Sequence, residues 1–125
     1  MKPDPRLPLV YACSGCSSAA QLANHLALRL TREGHAEMSC IAGVGGQVPA
    51  LLRIARAGRP IVALDGCPLA CVRACLEQAG LQADATVLLS EHGVVKRNHC
   101  DFSAADAERL WPDVVAATAS CRQRD

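Results

Sequence analysis

The spacing of apolar positions changes along the chain, and the changes mark out alternating elements. Residues 8–13, PLVYAC, form an unbroken apolar run that suits a strand buried on both faces. From Ser17 to Glu33, Ala19, Leu22, Ala23, Leu26 and Leu30 recur at helical spacing, and Gly34 closes the segment. AEMSCIAG, residues 36–43, reads as a second strand running into a glycine loop, GVGG. VPALLRIARAG, 48–58, reads as a short helix with Pro49 in its first turn and Gly58 at its end. RPIVALDG, 59–66, is a third strand, and PLACVRACLEQAG, 68–80, a helix with proline first and glycine after. ATVLLS, 85–90, is a fourth strand, followed by an irregular stretch over 91–102. Ser103 caps a last helix with Asp106 three residues on, and Pro112 is expected to end or kink it.

This alternation predicts an α/β fold with a parallel sheet, right-handed crossovers and helices on both faces. With four strands, the expected architecture is a small doubly wound domain of flavodoxin-like or Rossmann-like type, strand order 2-1-3-4. Ligands in such folds sit beyond the carboxyl ends of the strands. The chain shows no repeat, low-complexity tract or linker, so one domain is expected over 1–125, with its core in 8–97 and a helical tail from 98.

Composition narrows the function. At 125 residues, half of them apolar, the chain is long enough and apolar enough for one folded core. Tyr11, Phe102 and Trp111 are its only aromatic residues, which argues against a base-stacking platform. The formal net charge is +1 and Lys96-Arg97 is the longest of the basic runs, so neither nucleic acid nor an anionic membrane is implied as a partner. No segment approaches the roughly 20 apolar residues of a membrane span. The opening MKPDPRLPLVYACSG is too broken by proline for a signal peptide, and a cytoplasmic protein is expected. Eight cysteines in a reducing compartment point to metal or thiol chemistry rather than to a disulfide framework.

The predicted elements sort those cysteines. Cys13 ends the first strand, Cys40 lies near the end of the second and Cys67 follows the third. Three distant cysteines thus fall on the carboxyl edge of neighbouring strands, which lie about 4.8 Å apart. In the following helix, Pro68 suits the first position, making Cys67 the expected cap. Leu69, Val72, Leu76 and Ala79 define its core-facing stripe. At about 100° per residue, Cys71 lies roughly 160–170° from the centre of that stripe, on the azimuth of Cys67. Helical side chains lean toward the amino terminus, so Cys71 leans toward Cys67. Cys13 and Cys16 form a CxxC leading into the first helix, a pattern shared by zinc sites and redox pairs. Up to five thiols therefore gather near one edge. A tetrahedral thiolate site for zinc is chemically natural there, and an iron–sulfur cluster would take the same ligands.

Other residues carry weaker signals. AGVGG could cradle an anion with its amides or simply bring the backbone close to a neighbour. Asp65 could steer a thiol proton or cap a turn. His92 and His99 follow the fourth strand and could reach the site, but read mainly as surface residues, as do His25 and His35. Cys75 reads as a packed small hydrophobe, Cys100 and Cys121 as tail residues without a role, and Trp111 as an anchor for the last helix. The rival functional class is a thiol enzyme, either a redox protein or a cysteine nucleophile, using Cys13 and Cys16. A phosphatase loop would need an arginine to bind phosphate bidentately, and CSGCSSAAQ has none.

DGCPLACVRACLEQAG, with ACSGCSSAAQLAN and CIAGVGG, resembles the DGC-domain family, bacterial proteins named after that Asp-Gly-Cys. The resemblance covers roughly residues 8–97, and KRNHCDF continues it. It implies zinc bound by Cys13, Cys40, Cys67 and Cys71, the set that the strand-edge positions also select. Cys16 falls where many members carry other residues and stands as an additional candidate. The resemblance supplies no substrate, so no catalytic residue is assigned and the protein partner is open.

Overall fold

The computed structural model describes residues 4–121. Four strands form one all-parallel sheet: β1 (Leu9–Ala12), β2 (Glu37–Met38), β3 (Ile61–Asp65) and β4 (Ala85–Leu88), in the order β2-β1-β3-β4. The fold is the expected α/β arrangement with strand order 2-1-3-4. Register follows the apolar runs: Leu9 to Ala12 of β1 face Ile61 to Leu64 of β3, and both strands are buried throughout. A strand with helices over both its faces has no polar side to show, which is why these segments lack alternation.

Helix α1 (Ser18–Arg32) crosses from β1 to β2 and packs against α5 (Ala104–Ser120). On return to β3 the chain forms α2 (Ile41–Gly45) and α3 (Pro49–Ala55), and α4 (Cys71–Gln78) links β3 to β4. Right-handed crossovers put α1 on one face and α2, α3 and α4 on the other. The core runs through Leu9, Tyr11, Leu22, Leu26, Leu30, Leu64, Leu76, Leu89 and Leu110, each fully buried. Trp111 holds α5 to α1 as expected: the Arg29 guanidinium lies 4.1 Å from its ring centroid and His35 meets its edge.

Several expectations are corrected. The second strand is only two residues long, and Ile41 to Gly45 are helical rather than strand and loop. Two glycines make this a poor helix by propensity, and close packing holds it. A Cβ on Gly43 would lie 1.8 Å from Leu51 Cδ1, and one on Gly45 would lie 2.9 Å from Cys75 Sγ. The glycines are therefore a close-approach device. The fourth strand stops at Leu88, and Leu89 to His92 make a 3-10 turn. Pro112 does not end the last helix, which continues to Ser120.

Helix α4 starts later than the sequence suggests. Pro68 is not its first residue and Cys67 is not its cap. Cys67 to Ala70 instead form a turn closed by the Ala70 amide on the Cys67 carbonyl at 3.0 Å, with Pro68 at its second position. Ala70 then takes the left-handed conformation, φ 51° and ψ 54°, and the helix begins at Cys71. Leu69, expected in the buried stripe, is 72% exposed, while Val72, Leu76 and Ala79 are buried as predicted.

Candidate metal centre

The DGC segment divides its work among three neighbouring residues. Asp65 ends β3, 1% exposed, and its carboxylate oxygens accept from the amides of Val72 at 2.9 Å and Arg73 at 3.2 Å. These are early α4 donors that would otherwise lack partners, and Ala70 at the cap position has no side chain to serve them. Asp65 is therefore the helix cap acting from seven residues away. Gly66 crosses so close to α1 that a Cβ on it would lie 2.6 Å from the Ala19 carbonyl carbon and oxygen. From there its amide donates to Cys13 Sγ at 3.2 Å. Cys67 follows, part-exposed, at the start of the turn.

Cys13 is reached from the other side. Its amide continues the β1–β3 ladder to the Leu64 carbonyl at 3.1 Å, and its side chain is 8% exposed. Burial pushes its thiol up to about 11, the Gly66 amide pulls the other way, and nearby Asp65, Cys71 and Cys67 add to the rise. After Cys13 the chain makes an exposed bend through Ser14, Gly15 and Cys16, with Gly15 at φ 145°. The Ser17 hydroxyl then caps α1 by accepting from the Ala20 amide at 3.1 Å.

A cavity of about 220 Å³ lies between these two loops, and Cys13, Cys16, Cys67 and Cys71 all line it. Lys96 and Asn98 close its third side. The segment carrying them is pinned to α1: Ser18 donates its amide to the Arg97 carbonyl at 2.8 Å, and its hydroxyl accepts from the Arg97 amide at 2.9 Å. Lys96 Nζ stands 3.6 Å from Cys67 Sγ. Sequence reasoning noted Lys96 only as part of a basic pair. Its one signal was membership in KRNHCDF, since nothing local marks a lysine as facing a thiol.

Cys40 caps α2 and is exposed; it is not among the residues lining the cavity. Its helix runs beside α4, and Gly45 faces Cys75. Cys40 itself lies just past the end of β2, at the start of α2. Cys75 is half-buried against Gly45, and burial raises its thiol. Cys100 is exposed and Cys121 packs on the core. His92 belongs to α5 instead: its Nδ1 is 3.7 Å from Asp113 Oδ2 and its carbonyl accepts from Arg109. His99 is exposed and outside the cavity, and His25 stacks at 4.8 Å from Phe102.

The donor chemistry suits a soft divalent ion. Among the described residues, however, no three Cys, His, Asp or Glu side chains already stand as a group that could hold an ion. The thiols share a cavity without closing on one point. Also among the described residues, no helix is long and apolar enough to cross a membrane.

These features define a class: a small parallel α/β protein with a thiol cluster where β1 and β3 end. Within that class the chain belongs to the DGC domain family, whose sequence pattern matches residues 9–114. It is also similar to the Anaerobic and virulence modulator AnvM of Pseudomonas aeruginosa, 62% identical over 112 residues, covering 90% of this chain and 86% of that protein. No solved structure matches the chain.

Proposed function

We propose that this protein binds zinc through cysteine thiolates at the carboxyl edge of its sheet and acts by sensing or handling that metal. The observation that carries the reading is that Cys13, Cys16, Cys67 and Cys71 line one cavity. Cys13, Cys67 and Cys71 hold the ion, and Cys16 completes the set from the exposed bend. Cys40 is the alternative fourth ligand, supported by its place at the start of α2 beside α4. Zinc chemistry supplies a tetrahedral centre with closed coordination, or one open position if only three thiolates bind. Binding must draw the two loops together and release the thiol protons. A metal that reorganises two loops suits a modulator better than a catalyst. The name of the AnvM relative, a modulator linked to anaerobic conditions, favours a role tied to oxidation state. The setting is the cytoplasm, where thiols stay reduced.

A buried thiol near 11 is a poor nucleophile at neutral pH, which disfavours an enzyme built on Cys13. The test is zinc affinity by chelator competition across single serine variants. Cys13→Ser, Cys67→Ser and Cys71→Ser should each lose tenfold or more, about 1.4 kcal/mol. Cys75, Cys100 and Cys121 replaced together should change affinity less than threefold. Comparing Cys16→Ser with Cys40→Ser identifies the fourth ligand. Folded, reduced wild-type protein that takes up no zinc would falsify the reading.

A further inference from the structure

We propose that Cys67 is a site of mixed-disulfide formation, and that Lys96 selects anionic low-molecular-weight disulfides as its partners. Three observations converge. Among the described thiols, Cys67 has an ammonium beside it, Lys96 Nζ at 3.6 Å. Cys67 is part-exposed at a cavity, whereas Cys13 is buried under the Gly66 amide. Lys96 also has no carboxylate partner among the described residues, although the exposed arginines Arg73 and Arg109 each have one.

The backbone around this lysine is anchored. Val94 before it is buried, and Arg97 after it is bound through its backbone to Ser18. The backbone on either side is thus anchored, and from it the exposed Lys96 side chain lines the cavity and reaches Cys67 Sγ. A small anionic molecule entering the cavity meets the ammonium and the sulfur together. Exposed Leu69 and polar Asn98 provide the adjoining walls. Fields from single charges raise local counter-ion concentration most where low-dielectric walls confine them.

The reaction is thiol–disulfide exchange. Cys67 sulfur attacks one sulfur of the incoming disulfide. A new sulfur–sulfur bond forms, the old one breaks, and the displaced half leaves as a thiol carrying the proton that Cys67 gave up. Cys67 is oxidised and half of the small disulfide is reduced, so no other oxidant is needed. One consequence rests on the zinc reading: capping Cys67 removes a ligand and releases the metal. The modification itself stands without it.

The experiment uses the full-length chain, reduced, stripped of metal with chelator and then freed of reductant. It is reacted in parallel with oxidised glutathione, which is anionic, and with cystamine, which is cationic. Peptide mass mapping follows each cysteine with time. Cys67 should be the first cysteine capped by oxidised glutathione. Its ratio of glutathione rate to cystamine rate should fall threefold or more in Lys96→Met, recover in Lys96→Arg, and fall with added salt in the wild type. Cys100, which does not line the cavity, should show no such change. Earlier capping of another cysteine, or a ratio at Cys67 that changes less than threefold, overturns the proposal. Because the protein is metal-free, a failure of zinc binding leaves this result unaffected.

Discussion

Replacing Asp65 with alanine tests whether one buried carboxylate both starts α4 and fixes Cys71 at the cavity. The carboxylate serves two amides, of Val72 at 2.9 Å and Arg73 at 3.2 Å, and the Asp65 side chain is shut off from water at 1% exposure. Asp65→Ala removes both acceptors, and nothing at Ala70 replaces them. A hydrogen bond to a charged group contributes on the order of 1.5–3 kcal/mol, and a lost side-chain cap costs about 0.5–2 kcal/mol. The Arg73 bond is longer and only part-buried, so the lower end applies to it. The expected loss is then about 3 kcal/mol, a large share of the roughly 5–15 kcal/mol that keeps a domain folded. At about 4 °C per kcal/mol for a chain of this size, Tm should fall by about 12 °C.

Asp65→Asn separates the cap from the charge. Its single carbonyl oxygen still accepts from one amide, so about half the loss should remain. Urea unfolding followed by far-UV circular dichroism gives both numbers, with thermal melts as a check. A loss below about 0.5 kcal/mol in Asp65→Ala would refute the capping role, since surface changes of no structural consequence fall within that range. The α4 start would then be held by packing of Val72 and Leu76 alone.

Three further outcomes follow from the same edge. Gly66→Ala should destabilise by about 2–3 kcal/mol in urea titration, because its Cβ would meet Ala19 backbone at 2.6 Å and backbone cannot move aside; wild-type stability would refute the close approach. Ala70→Gly should stabilise by roughly 0.5–1 kcal/mol by relieving φ 51°; a destabilised variant would mean that the left-handed turn is not strained. The Cys13 thiol, raised from 9.0 to about 11 in the fold, stays protonated where the unfolded chain ionises. Its contribution is complete below pH 9 and fades between about pH 9 and 11, by up to about 2–3 kcal/mol. Urea midpoints against pH should show that decline flattened in Cys13→Ala. Tyr11 and Cys75, also raised by burial, leave a residual slope.

How far the fold was legible depends on where local and tertiary signals agree. β1, β3 and α1 carry long, unambiguous apolar patterns, and their places and strand order follow from the alternation of elements. IAGVG has no such pattern. Its two glycines oppose a helix, and only contact with Leu51 and Cys75 makes one. Those contacts join parts of the chain that no local reading connects. Proline in DGCPLAC is ambiguous for a different reason. It fits the first position of a helix and the second position of a turn equally well, because both ask for the same φ. The deciding residue is Asp65, whose buried carboxylate captures the amides of Val72 and Arg73 and so delays the helix to Cys71.

That delay changes what the cysteine spacing means. Read as helix, Cys67 and Cys71 share an azimuth one turn apart. In the structure they bracket a tight turn, one before Pro68 and one after the left-handed Ala70. Both still line one cavity, since a turn that reverses the chain returns its ends to the same side. The edge position of Cys67 was legible; the stiffness of its setting was not. Three residues between two thiols on a regular helix would leave each free to rotate independently. Here the carboxylate of Asp65, the close passage of Gly66 under α1 and the strained Ala70 constrain the same short loop. A ligand drawing Cys67 and Cys71 together must act against that loop as a unit.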